Sequence, residues 1–268
     1  MYAYAVGFII VIIVMLSAAY QDLRSREVSD VHWAVICVVA AAMSALQGDL
    51  EGILAAVTIA LVTVFMLSPR VEGATAAAVV IAAIVSTAIA YWISGNPSHL
   101  VRIGMFLFFA ALYYTGLVKG GADAKALMAL SMAFPVYPPF GSLLFDPVYP
   151  AGLVFNPVFS SFLIGLVIAV LCSLPRVIGN IRSGDRPLDS YVMRISEAKG
   201  AFIWPVEDMV DGQRQRVPPS DDAEACLERL EDNGFTEVRV TPMIPFIVPL
   251  AAGFLITIIV GCPLFALI

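Results

Sequence analysis

The chain has 268 residues, 60% of them hydrophobic and 13% charged, with a formal net charge of −6. Soluble domains carry roughly half apolar and about 25% charged residues, so this composition excludes an ordinary soluble protein and points to an integral membrane protein. The basic residues are scattered, with no basic run and no aromatic platform in the soluble part of the chain, and nothing suggests nucleic-acid binding.

An apolar run of about 20 residues crosses a bilayer as a helix, because lipid offers no partner for backbone N–H and C=O groups. The first such run, 2–20, has no basic residue ahead of it and no small-residue cleavage site followed by a polar chain. It reads as a transmembrane helix rather than a removable signal. Further spans are predicted at 31–47, 52–67, 74–94, 99–118, 122–134, 157–174 and 244–268, of which 52–67 and 122–134 are short. The prolines of 135–157, with Gly141, break any continuous helix there and predict a loop or re-entrant stretch.

The stretch 175–241 has soluble character, with basic residues from Arg176 to Arg239 interspersed with many acids. Alternation predicts strands at 190–195 and 237–241. Helical spacing predicts a helix over 221–233, opened by Ser220 and closed by Gly234. The predicted fold is an all-α polytopic membrane protein of about eight transmembrane helices, at least six, carrying a small soluble α+β insert. Its parts are a transmembrane domain 1–174, the insert 175–241 and a last transmembrane segment 242–268.

Short cytoplasmic loops retain Lys and Arg. With the N-terminus outside, Arg24 and Arg26, Arg70, Lys119 and Lys125 and the whole insert fall on the cytoplasmic side, and of the 15 basic residues Arg102 alone falls outside. The expected location is the cell membrane, multi-pass, with membrane lipids as partners: basic residues near the bilayer attract anionic headgroups.

Two aspartates stand where apolar segments meet charged loops: Asp22 in Ala19-Tyr-Gln-Asp-Leu-Arg-Ser-Arg-Glu27, and Asp123 in Lys119-Gly-Gly-Ala-Asp-Ala-Lys125. Four predicted helices separate them, and an even number returns the chain to the same face. Ionisable residues at a membrane boundary are functional-site candidates, and two carboxylates that meet can act as an aspartic-protease dyad, one holding a proton while the other activates water. A single such Asp is more often a solvated loop charge. Gly120 and Gly121 give room for a substrate backbone, and Lys125 reads first as a snorkelling boundary residue. Pro242, Pro245 and Pro249 remove N–H donors, giving either an unwound stretch lining a cavity or a kinked helix start. Glu27 and Asp30 read as structural, with Asp30 the N-cap of the second span.

Other chemistries find little support. His32 and His99 fall on opposite faces, His99 at the outer interface. Cys37, Cys172, Cys226 and Cys262 show no Cys-x-x-Cys spacing, so neither a metal cluster nor a disulfide framework is indicated. No Gly-x-Ser-x-Gly elbow or phosphate-binding glycine loop occurs. Outside protease chemistry, the alternatives are an ion- or proton-coupled transporter using the same aspartates, and a membrane scaffold whose insert binds a partner.

Three islands carry a resemblance to a known family: Gln21-Asp-Leu-Arg-Ser-Arg-Glu-Val-Ser-Asp30 followed by His32-Trp33; Gly120-Gly-Ala-Asp-Ala-Lys125; and Thr241-Pro-Met-Ile-Pro-Phe-Ile-Val-Pro249. In order and setting they resemble the archaeal preflagellin peptidases and type IV prepilin-like leader peptidases, aspartic proteases of the GxGD type. The chain departs from that pattern at Ala122, where the pattern has Gly, and has more predicted helices than the six of the smaller preflagellin peptidases. The resemblance implies Asp22 and Asp123 as the catalytic pair, with Gly120, Gly121, Ala122, Lys125, Pro242 and Pro245 shaping the site. It implies no metal and no cofactor. It also implies preflagellin or prepilin-like precursors as partners, cut beside the boundary between a short basic leader and a hydrophobic helix.

Overall fold

The computed structural model describes residues 2–118, 120–137, 144–145, 151–183, 190–218 and 222–263. Lys119, residues 138–143 and 146–150 of the predicted loop 135–157, and the helix opener Ser220 lie outside the described residues. In chain order the elements are α1 (Tyr2–Ser25), α2 (Val31–Ala45), α3 (Leu50–Leu67), α4 (Gly73–Ser94), α5 (Ser98–Tyr114), α6 (Gly121–Ala133), α7 (Ala151–Val154) and α8 (Pro157–Ser183). There follow β1 (Tyr191–Arg194), α9 (Ile195–Ala198), β2 (Ile203–Pro205), β3 (Glu207–Val210), β4 (Gln213–Arg216), α10 (Ala223–Asp232), β5 (Glu237–Pro242) and α11 (Ile247–Val260).

Among the described residues four helical stretches are long and apolar enough to cross a membrane, Ala5–Ser25, Leu50–Leu67, Gly73–Ser94 and Pro157–Arg182, while α2, α5 and α11 are apolar but shorter. This is a mostly helical, polytopic membrane protein. Contacts divide it into two units, 1–168 with 245–268, and 169–244.

In unit 1, α6 is the inner helix, packed against α2, α3, α5 and α11. Its residues Ala124 and Ala126 to Met132 are buried, with Ala124, Ala126, Ala129 and Ser131 small enough to let neighbours approach closely. Thirteen residues rise only about 20 Å, less than a bilayer's hydrocarbon thickness, so α6 depends on its neighbours for burial. The core is aromatic and tightly fitted: Phe65 meets Phe106, Phe109 meets Phe162, and Phe134 meets Phe254, with ring centroids 5.7, 5.4 and 5.3 Å apart.

Local chemistry sets the helix ends. The Asp49 carboxylate accepts from Gly52 N at 2.7 Å to cap α3, and Gly95, at φ +67°, closes α4. The Asn156 side-chain oxygen accepts from Val158 N and Phe159 N, capping an α8 that begins on Pro157. That helix continues through Pro175 to Ser183, beyond the end predicted at 174. α8 and α11 touch backbone to backbone, since a Cβ at Gly253 would lie 2.5 Å from Ser161 O and 2.8 Å from Gly165 N.

Unit 2 is α+β. β5 is the central strand of an antiparallel sheet ordered β1-β5-β2, registering Tyr191 with Val240 and Ile203 with Pro242. β3 and β4 form a hairpin around Asp211 and Gly212, both at positive φ (51° and 75°), the geometry that an Asp-Gly turn favours. α10 turns Cys226, Leu227 and Leu230 onto Ile195, Ile203, Val238 and Val240, leaving Glu224, Glu228 and Glu231 outside. Burial pushes the Cys226 thiol up to about 11, and it donates to Glu207 O at 3.0 Å. Arg229 grips Asp208 with both Nε and Nη2, at 3.0 and 2.6 Å, which holds that carboxyl below the ordinary carboxylate range.

Candidate functional site

Buried residues on α1 recur as Val11, Met15, Ala18 and Ala19, and the next position on that stripe is Asp22. The helix runs five residues past the predicted end at 20, so Asp22 belongs to α1 rather than to a loop. Only 7% of it is exposed, against 62% for Tyr20 and 51% for Leu23. A carboxylate where a core side chain would sit is costly unless it is hydrogen-bonded. Its Oδ2 accepts from Ile247 N, the first residue of α11, at 3.0 Å. Phe246 offers α11 no side-chain cap, so a carboxylate from α1 caps α11 from across the core.

Asp123 stands in the first turn of α6, where a carboxylate is favoured by the helix dipole. It folds back over Gly120, which precedes the helix: a Cβ on Gly120 would lie 2.2 Å from Asp123 Oδ2 and 2.7 Å from Cγ. The glycine is needed for space. At Gly121 a Cβ would meet nothing nearer than Tyr113 Oη at 3.8 Å. Ala122 has helical backbone without positive φ, so no glycine is required there and the departure from GxGD has a local explanation. Asp22 and Asp123 lie close enough to act on each other electrostatically. The two aspartates that the sequence singles out thus stand near the end of α1 and in the first turn of α6, within electrostatic range of each other.

No family model matches the chain. Among curated proteins, the preflagellin peptidase of Methanococcus voltae is 24% identical over 100% of this chain and 99% of its own. That of Methanococcus maripaludis (strain C6) is 24% identical over 96% of this chain and 95% of its own. A third, the preflagellin peptidase of Methanocaldococcus jannaschii, is 26% identical over 58% of this chain and 68% of its own. This chain is a relative of the archaeal preflagellin peptidases. The likeness to the Methanococcus voltae preflagellin peptidase runs through both units, the insert included.

Beside the two aspartates, Lys125 Nζ donates to both carboxylate oxygens of Asp30 at 2.7 Å, tying α6 to the start of α2. Asp30 is therefore not the side-chain N-cap that the sequence suggests. Its own backbone is already helical (φ −58°, ψ −19°), so its carboxylate makes no capping bond and reaches α6 instead. Pro245 stands two residues before Ile247, its carbonyl accepting from Val248 N at 3.3 Å, while Pro242 is the last residue of β5 in unit 2. Pro249 falls in the first turn of α11, where a missing N–H costs no intrahelical bond.

A second polar cluster gathers α3, α5 and the far end of α6. Glu51 accepts from His99 Nε2 at 2.7 Å and from Asn96 Nδ2 at 2.9 Å, and buried Arg102 donates through Nε to Met132 O at 3.2 Å. Arg102 thus meets a carbonyl near the C-terminal end of the helix that bears Asp123, where cations are favoured.

Two contributors to the Asp22 environment are missed by sequence reasoning. Ile247 acts through its backbone, so its side-chain type carries no signal. Arg26 takes φ +58° immediately after α1, and nothing in its residue type announces a left-handed turn.

Proposed function

We propose that this protein is a membrane aspartic endopeptidase that removes the leader peptide of preflagellin or prepilin-like precursors, with Asp22 and Asp123 as its dyad. The observation that carries this reading is the approach of those two carboxylates from separate helices, α1 and α6, in a relative of named peptidases. In the proposed reaction the ionised member takes a proton from water, which attacks the scissile carbonyl, while the protonated member donates a hydrogen bond to the carbonyl oxygen. Collapse of the resulting diol returns a proton to the leaving nitrogen. The proton belongs to the coupled pair rather than to a named residue.

The distribution of Lys and Arg supports a cytoplasmic placement for the dyad and for the insert 175–241, the side on which a basic leader is held. Transport through the same aspartates gains no support from the relatives, all three of which are named peptidases.

The test incubates membranes holding the protein, or its Asp22→Asn or Asp123→Asn variant, with flagellin-like and pilin-like precursors and follows leader loss by mass. Cleavage by the parent should fall by roughly 10²–10⁴-fold in either variant, the usual worth of an acid–base group. Full cleavage by Asp123→Asn overturns the assignment.

A further inference from the structure

α1 ends at Ser25, and the chain turns at Arg26 in the left-handed region, φ +58°, where a residue bearing a side chain is strained and glycine is not. An arginine there performs a turn that glycine would perform with less strain. Its side chain does something glycine cannot. Arg26 N donates to Asp22 O at 3.1 Å, as the helix end requires, and the guanidinium Nη1 curls back to donate to that same oxygen at 3.0 Å in a partly buried setting. The guanidinium charge also acts on the Asp22 carboxylate. Asp22 is thereby held at two points, its peptide carbonyl by Arg26 and its carboxylate by Ile247 N.

We propose that Arg26 is a positioning residue for Asp22, its guanidinium fixing the last turn of α1 so that the carboxylate stays aligned between Ile247 N–H and Asp123. This rests on the reading of Asp22 and Asp123 as the catalytic pair. Arg26 touches no reacting atom in this scheme. It acts through Asp22, at a site where a small misplacement of a reacting group is amplified in rate. A plain helix cap makes the opposite prediction, since glycine would then serve at least as well.

The experiment compares the full-length protein with Arg26→Gly, Arg26→Lys and Asp22→Asn, using a flagellin-like precursor whose leader loss is timed by mass. Arg26→Gly should melt at or above the parent temperature, because glycine relieves the turn. Its kcat should nevertheless fall by about 10- to 100-fold, the scale of one charge-assisted hydrogen bond, with KM within about twofold. Arg26→Lys, which keeps the charge and a donor, should recover at least half of that loss on a logarithmic scale. An Arg26→Gly protein with parental kcat, or one whose defect lies in KM alone, overturns the proposal. If the glycine variant does not fold, Arg26→Gln decides by the same ratio: about tenfold lower kcat supports the proposal and unchanged kcat overturns it. Asp22→Asn separates the two levels. Cleavage retained there removes the dyad reading and this proposal with it, whereas an inactive Asp22→Asn beside a fully active Arg26→Gly removes the proposal alone.

Discussion

The two units treat their carboxylates differently. In unit 2, Asp208, Glu207 and Glu231 are met by Arg229, Arg214 and Lys199, and each pair keeps access to solvent. In unit 1, Asp22 sits on the buried stripe of α1, meets a backbone N–H, and has a second carboxylate for a neighbour. Glu51, in the same unit, follows the first pattern, with His99 and Asn96 as partners. Pairing with a complementary group is the low-cost way to seat a charge. Two carboxyl groups seated close to each other inside a core are maintained at a cost, and such costs concentrate at sites of chemistry.

That contrast can be broken most sharply at Gly120. Alanine there would press on the Asp123 carboxylate rather than on backbone, so the side chain can swing aside and the fold should survive. The placement that its proposed catalytic role requires should not. We expect Gly120→Ala to lower kcat by about 10- to 100-fold with little change in melting temperature, because misplacing a reacting group by about 1 Å can cost 10²-fold. Gly121→Ala, one residue on with open space around it, should stay within about twofold of the parent, its added methyl group favouring the first helical turn. Equal kcat in the two variants would show that the Asp123 position is not what the glycine protects.

A smaller effect is expected at the ion pair between Lys125 and Asp30. Both side chains are partly exposed, so a pair of this kind contributes at most about 1 kcal/mol, or roughly fivefold. Lys125→Asp and Asp30→Lys should each lower cleavage by a few-fold, and the double reversal should regain most of it. No recovery in the double variant would mean that Lys125 acts without Asp30.

The least effect belongs to the ion pairs of unit 2, and it is a matter of pH. Arg229 holds the Asp208 carboxyl below its ordinary range, so their contribution to stability is present above about pH 4 and is lost as pH falls through the lowered value. Hydrogen-exchange protection over α10 and β3 in the whole protein, corrected for the intrinsic rate at each pH, should fall on acidification below about pH 4. In Arg229→Gln that region should exchange faster already at neutral pH and respond less to acid. An identical acid response in parent and variant would remove Asp208 from the account.

Much of the helical plan was legible because apolar runs of membrane length have few other uses: α1, α3, α4 and α8 cover the predicted runs, although α1 runs on to Ser25 and α8 to Ser183, past the ends predicted at 20 and 174. In unit 2 the first and last strands, predicted at 190–195 and 237–241, could be read from alternation and α10 from its spacing. The short strands β2, β3 and β4 escaped notice, although Asp211-Gly212 carried a usable hairpin signal. Asp30 reads as a cap from residue type and position, and only its backbone angles and the reach of Lys125 reassign it.

By itself the sequence determined that this is a membrane protein, that two aspartates stand near helix ends, and which family's pattern surrounds them. Hydrophobic run length, parity and local motif are properties of the chain's order, and they survive without coordinates. The tertiary structure decided that Asp22 is buried within α1, that its carboxylate caps α11 through Ile247 N, that Asp123 lies over Gly120 and that Arg26 turns back on Asp22. Those facts depend on backbone donors and on contacts between residues far apart in the chain. A one-dimensional pattern does not encode which peptide N–H will face which carboxylate once the helices have packed.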